Sequence, residues 1–214
     1  MQASATAQPN IALVKYWGKR DRERNLPAVS SLSITLDTLQ TMMSVRFGDC
    51  DADSLAVNGE PAPAMLTRVS YCLDLVAGSH RPRAQVDSEG NFPIGAGLAS
   101  SASAFAALAT AANAAAGTQH DRLALARFAG AVSGSAARSL YGGFVELDAG
   151  EDTIELRQLA TAADWPLAVL VAITSEGPKP MGSGDAMILS AETSPFYASW
   201  VAQQPDDLVL SLIH

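Results

Sequence analysis

The chain has 214 residues, 48% of them apolar and 17% charged, with 14 basic against 22 acidic side chains and a net charge of −8. That length supports one sizeable domain, or one and the start of another, and the composition excludes a disordered chain. The acidic balance excludes nucleic acid as a bulk partner, so any anionic ligand must be held by a local cluster of cations. The two cysteines, Cys50 and Cys72, make no disulfide framework and read as reduced thiols of a cytoplasmic protein. The opening "MQASATAQPN" lacks the charged start and long apolar core of an export signal. The most apolar window, residues 102–116, is too short to span a bilayer.

In chain order, "NIALVKYW" (residues 10–17) reads as a buried strand and "KRDRERN" (19–25) as the charged turn or loop after it. "SLSITL" (31–36) and "TMMSVRF" (41–47) alternate as strands do. Asn58-Gly59 is a hairpin signal, because both residues tolerate φ > 0. Residues 63–76 have helical spacing, with Met65, Val69, Leu73 and Val76 on one face and Gly78 as the stop. "RAQVDSE" (83–89) follows as a strand. Helices are expected over about 98–116, stopped by Gly117, and over 121–129, with a third, short one over 133–140. "GGFVEL" (142–147), "TIELRQL" (153–159) and "PLAVLVAIT" (166–174) read as strands. "ETSPFYASWVAQQ" (192–204) reads as a helix capped by Thr193 or Ser194, with Pro195 in its first turn. Strands, a helical middle and strands again predict an α+β domain, with helices on one face of a mixed sheet.

Three stretches carry candidate chemistry. In "PIGAGLASSAS" (93–103) small residues crowd the mouth of a helix, where free N–H groups and the positive dipole end favour an anion. Gly95 and Gly97 let the backbone approach a phosphate, and Ser100, Ser101 and Ser103 offer hydroxyls to phosphate oxygens or a magnesium ion. The stretch fits neither common phosphate-loop template, and close helix–sheet packing of small residues reads it as well. Lys15, Lys19 and Arg20 cluster in an acidic chain; Lys15 interrupts an apolar strand, a costly place without an anionic partner. Arg20, Arg22 and Arg24 read as a solvated loop. "SGSAAR" (133–138) is a second hydroxyl-rich helix start. Arg138 offers a planar fork suited to a carboxylate or phosphate, or else is a surface arginine on a capped helix.

"P-x-x-x-G-L-A-S-S-A-S" resembles the nucleotide-phosphate loop of the GHMP superfamily. "NIALVKYWGKRD", "SGSAARSLYGGFVEL" and "ETSPFYASWV" are similar, in the same order, to the diphosphomevalonate decarboxylase family, a resemblance running from about Pro9 to Val201. It implies a GHMP-kinase N-terminal domain, of the ribosomal protein S5 domain 2-like type, over residues 1–190, and the start of a C-terminal domain over 191–214. The implied activity is ATP-dependent decarboxylation of mevalonate 5-diphosphate to isopentenyl diphosphate, with ATP and Mg2+. By the same resemblance, the phosphates of ATP are held by Gly95, Ala96, Gly97, Leu98, Ala99, Ser100, Ser101 and Ser103, with Ser101 on the metal. Tyr16, Trp17, Gly18, Lys19 and Arg68 line the substrate site, with Tyr16, Lys19 and Arg68 on its phosphates, although Trp17 reads equally as core. Ser133, Gly134, Ser135, Ala136, Ala137 and Arg138 are further substrate contacts, Arg138 orienting the substrate carboxylate and the catalytic base; Lys15, beside the reacting end, and Arg138 are the catalytic residues. Met187 is placed near the substrate methyl group or in the core, and Thr193 as a contact or a cap.

The family continues through a C-terminal domain that carries an aspartate base in an Asp-Ala-Gly-Pro-like stretch. The "DAG" at 148–150 reads only as a turn. The expectation is therefore a truncated chain that binds but turns over little. Sibling readings are a mevalonate 3-kinase, a mevalonate 5-phosphate decarboxylase or a non-catalytic nucleotide-binding remnant. The resemblance allows a homodimer, and no membrane or nucleic-acid partner is expected.

Overall fold

The computed structural model describes residues 1–94, 97–172 and 181–213. The first strand, β1 (Gln2–Ala7), comes from a stretch in which no strand is predicted; β2 (Asn10–Val14) ends three residues before the expected Trp17. The charged stretch after it is no plain loop, since β3 (Lys19–Asp21) pairs with β4 (Leu26–Pro27) in a small hairpin. Then come β5 (Ser31–Thr35), β6 (Thr41–Gly48), β7 (Ser54–Val57) and β8 (Glu60–Pro61). The turn between β7 and β8 is Asn58-Gly59, at φ 50° and 84°, the left-handed pair predicted from the dipeptide.

Helix α1 (Pro63–Ala77) stops at Gly78 and buries Val69, Cys72, Leu73 and Val76. Met65, expected on that face, is 39% exposed, the fully buried stripe of α1 beginning only at Val69. After β9 (Arg83–Gly90) come α2 (Ser100–Ala116) and α3 (Arg122–Val132). Asp121 caps α3, accepting from the Ala124 N–H at 2.8 Å, and the helix runs past the expected Ala129. The stretch 133–140 forms no α-helix; only a 3₁₀ turn spans Ala136–Leu140. Strands β10 (Phe144–Asp148) and β11 (Glu155–Ala160) follow, then α4 (Ser183–Thr193) and α5 (Tyr197–Ile213). The single helix expected over 192–204 is thus split: Thr193 closes α4, its hydroxyl donating to the Leu189 carbonyl, and Pro195 stands between the helices. The strand expected over 166–174 is absent from its described part, 166–172, where the chain is exposed and finds no neighbour to pair with. Residues 173 and 174 lie outside the described residues.

The α+β architecture is as predicted, with two main sheets where one is expected. The first has the order β1-β6-β9-β7-β8 and is mixed, since β7 and β9 run parallel with α1 as the crossover between them. The second, β11-β10-β5-β2, is antiparallel throughout. Met43, Val45 and Phe47 alternate inward along β6 to meet α1 and α2. Alanine dominates α2 for a packing reason. Ala102, Ala106, Ala109 and Ala112 are fully buried, so the helix lies close to the sheet and to its neighbours on most sides. Helix α3 and the 3₁₀ turn join this core to the second sheet, through Ala126 and Ala137 packed with Leu147 and Ile154. Helix α5 docks on that sheet by Leu208 against Val14 and Leu32. No helix among the described residues is long and apolar enough to cross a membrane.

One buried ion pair pins the first sheet to α1. The Arg81 fork donates to both Asp53 carboxylate oxygens, at 2.9 and 2.6 Å, and its Nε meets Asp74 at 2.9 Å. Arg81's hydrogen bond holds the Asp53 carboxyl well below the usual range, aided by the Ala84 N–H and opposed by burial. A carboxyl whose folded pKa is depressed stabilises the fold at neutral pH. That contribution is lost as pH falls below the unfolded value of about 4. Asp53→Asn is therefore expected to cost about 3 kcal/mol at pH 7 and to flatten the acid slope of stability, as urea unfolding at pH 7 and pH 3 would read.

Candidate functional site

Helix α2 begins on a backbone that no side chain caps. Ala99, its N-cap, is held at φ 52°, ψ 38°, a left-handed conformation costing an alanine roughly 1 kcal/mol, and Gly97 before it is at φ 89°. This bend stands at the edge of a cleft of about 1090 Å³. Gly97, Ala99 and Ser101 line the cleft from this side. Ser101 Oγ accepts from Ser133 Oγ at 3.3 Å, which joins the two hydroxyl-rich stretches.

Basic residues reach the cleft from the end of β2 and the hairpin after it. Lys15, Tyr16, Trp17 and Lys19 all line the cleft, as does Arg68 from α1. Lys15 is not buried in a strand; β2 ends at Val14 and the lysine is exposed on the cleft. Lys19 holds its proton less firmly than a free lysine, first because it is partly buried, then because Arg68 stands near; Asp185 opposes this. Arg68 is itself weakened by burial, donates to the Val132 carbonyl at 2.9 Å, and lies 4.8 Å over the Phe105 ring.

Arg138 is the largest fully buried side chain among the described residues, at 1% exposed. Its Nε donates to Ser33 Oγ at 3.0 Å, one terminal nitrogen to Ser31 Oγ at 2.8 Å and the other to Asn10 Oδ1 at 3.2 Å. Every one of these acceptors is neutral. Burial pushes the guanidinium pKa down to about 10, and no carboxylate among the described residues offsets it. Tyr16 lies beside it, ring centre 5.9 Å from the guanidinium carbon, with a hydroxyl that has no hydrogen-bond partner among the described residues and a pKa pushed by burial to about 12. Gly134 gives that hydroxyl its seat, since a Cβ there would stand 2.1 Å from it.

The cleft therefore gathers Lys15, Tyr16, Trp17, Lys19, Arg68, Gly97, Ala99, Ser101, Ser133, Gly134, Ser135, Arg138 and Met187 from distant parts of the sequence. Others stand apart from it. Ser103 is fully buried and shares a 2.7 Å hydrogen bond with Thr41, so it fastens α2 to β6. Ala136 and Ala137 are core residues. Gly18, Leu98, Ser100 and Thr193 are not among the lining residues, and Gly95 and Ala96 lie outside the described residues. The "second helix start" is weaker than its sequence promises: Ser133 closes α3, and a five-residue 3₁₀ turn follows. Arg20 and Arg22 are not merely solvated. Arg20 donates to the Ala149 carbonyl at 2.9 Å, and Arg22 meets Glu192 at 2.8 Å. The "DAG" stretch, expected as a turn, holds the last residue of β10, Asp148, and the two residues after it, with the Gly150 N–H donating to Asp148 Oδ1.

Sequence reasoning missed Asn10, Ser31 and Ser33 as the cradle of Arg138, and Asp185, Tyr197 and Trp200 as part of the cleft wall. The serines did leave a signal: two hydroxyls at alternate positions of an apolar strand share a face. Among the described residues no group of three His, Cys, Asp or Glu side chains could cage a metal. The Ser101 hydroxyl and one carboxylate, Asp185, are the sparse donors suited to magnesium, which keeps its waters and prefers phosphate oxygens.

The α+β fold that carries this cleft is that of solved members of the GHMP-kinase class. The family model for the diphosphomevalonate decarboxylase-like N-terminal domain matches residues 7–160, and the chain belongs to that family. The diphosphomevalonate decarboxylase of Bos taurus is 41% identical over 216 residues, covering 89% of this chain and 53% of its own length. Among solved structures, the mevalonate diphosphate decarboxylase from Enterococcus faecalis, described for mevalonate diphosphate mediated ATP binding, superposes at a TM-score of 0.84. It is 37% identical over 98% of this chain and 65% of its own. A structure of MDDEF in complex with MVAPP, AMPPCP and magnesium reaches 0.86 at 37% identity, over 98% of this chain and 66% of its own. The chain spans about half the length of the curated relatives it matches.

Proposed function

We propose that this cleft binds mevalonate 5-diphosphate and the triphosphate of ATP, and that the chain serves an ATP-dependent decarboxylation yielding isopentenyl diphosphate. One observation carries the reading. Arg138 is a buried cation whose acceptors are all neutral, with three hydrogen bonds on five N–H groups. A charge so placed is costly unless an anion arrives.

In this reading the remaining N–H groups of Arg138 take the substrate carboxylate and hold it while the neighbouring carbon loses its hydroxyl as phosphate. Lys15 faces the reacting end and offsets negative charge there. Tyr16, Lys19 and Arg68 bind the diphosphate, while Gly97, Ser101 and the first amides of α2 hold the phosphates of ATP. Ser101 is the residue for magnesium, which when bound neutralises phosphate charge. The role of the cleft is alignment, so that the terminal phosphoryl meets the tertiary hydroxyl. We assign no proton acceptor among the described residues: Asp185, the one carboxylate lining the cleft, acts on Lys19. A binding domain over residues 1–190 and a second-domain segment from 191 remain part of the proposal.

Calorimetric titration of the 214-residue chain tests it. Mevalonate 5-diphosphate and Mg-ATP are each expected to bind, and the 5-monophosphate at least about tenfold more weakly than the diphosphate, for the loss of charge-assisted hydrogen bonds. Absence of heat with both mevalonate 5-diphosphate and Mg-ATP would refute the reading.

A further inference from the structure

Two tyrosines meet the cleft in the same manner. Tyr16 places its hydroxyl over Gly134, where a Cβ would lie 2.1 Å away. Tyr197, the first residue of α5, places its own over Gly18, where a Cβ would lie 1.8 Å from the oxygen and 2.8 Å from the ring carbon bearing it. Gly18 sits at φ 99°, so the backbone itself is shaped to admit the ring. Tyr197 lines the cleft, and its hydroxyl makes no hydrogen bond among the described residues. Partial burial raises its pKa, so it stays a protonated donor at neutral pH.

A second aromatic ring lines the cleft beside it. Trp200 lies 6.1 Å away, ring centre to ring centre, one turn along α5. The helix is fastened to the second sheet by Leu208 in its core and by Gln204, 2% exposed, donating to the Ser30 carbonyl. Fixing a phenol against a glycine while leaving its hydroxyl unspent has no packing rationale, since a phenylalanine would fill the same space. Gly18 stands between Tyr16 and Lys19, beside the cations assigned to the diphosphate.

We propose that Tyr197 is a further ligand-binding residue of this cleft, its hydroxyl donating to the diphosphate from the α5 wall as Tyr16 does from the β2 side. The assignment rests on the functional reading above and extends it to a helix that sequence reasoning left out of the site. Because the seat is Gly18 and the neighbour Lys19, Tyr197 serves the diphosphate end and not the helix mouth at Gly97.

The test is Tyr197→Phe, which keeps the ring and removes only the hydroxyl, titrated with inorganic pyrophosphate, mevalonate 5-diphosphate and Mg-ATP in turn. Both diphosphates are expected to bind at least about tenfold more weakly than to the unmodified chain, with Mg-ATP affinity and the thermal midpoint unchanged. Equal diphosphate affinity in the two proteins would overturn the assignment of Tyr197 and leave the functional reading standing. A parallel loss of Mg-ATP affinity would overturn it too, by showing a general structural role. Failure of the unmodified chain to bind mevalonate 5-diphosphate would instead bring down the functional reading, and this assignment with it.

Discussion

Arg138→Gln is expected to weaken binding of mevalonate 5-diphosphate by roughly a hundredfold or more, while the mixed sheet and its helices stay folded. The magnitude follows from the site's solvation. A buried cation and the anion it meets form a desolvated pair, and truncating one member of such a pair costs about 2–5 kcal/mol. Glutamine can still donate to Ser31 or Ser33, so the cradle is not left empty, but the charge is gone. Removing a buried unpaired cation also removes its desolvation cost, so the ligand-free variant should not be less stable than the parent. Affinity by calorimetry and stability by urea unfolding should therefore move independently. A loss of both together would assign Arg138 to the core.

Gly134→Ala is the second large effect. The added methyl would lie 2.1 Å from the Tyr16 hydroxyl, 2.3 Å from the carbon bearing it and 2.9 Å from the next ring carbon. No rotation of a hydroxyl relieves that, and the ring is buried, 8% exposed, beside Arg138. Either the ring leaves its seat or the 133–135 segment shifts. The expected cost is about 3 kcal/mol or somewhat more in stability, the upper range for overpacking, with loss of diphosphate affinity besides. Tyr16→Leu in the same chain separates the two, since it should restore much of the stability and none of the affinity. If the double variant stays as unstable as Gly134→Ala alone, the clash is not with Tyr16.

Local chemistry made part of this molecule legible in its sequence. Asn58-Gly59 predicts its hairpin because only a φ > 0 pair fits there, and Gly78 and Gly117 predict helix ends for a related reason. Where local signals were weak, tertiary context decided. Strand β1 alternates small and polar residues too mildly to announce itself, yet it pairs with β6 along its whole length. Residues 166–172 are apolar enough to read as a strand, but an apolar run specifies a strand only where a partner exists.

The candidate site divides in the same way. The glycine-serine helix mouth and the Lys15–Lys19 cluster are contiguous stretches, so motif reasoning could reach them. The cradle of Arg138 is assembled from Asn10, Ser31 and Ser33, which lie 128, 107 and 105 residues from it in sequence. Only the antiparallel pairing of β2 with β5 brings these acceptors side by side.

The contrast between a cleft of four cations and a chain of net charge −8 bears on how an anion finds its way in. At ionic strengths near 0.1 M electrostatic forces are screened beyond about 10 Å, so an approaching diphosphate feels little of the molecule's overall repulsion until it reaches the mouth. Diluting the salt lengthens that reach and lets the acidic exterior push the same ligand away. Encounter should consequently be fastest at intermediate ionic strength, where the exterior is muted and the interior still pulls.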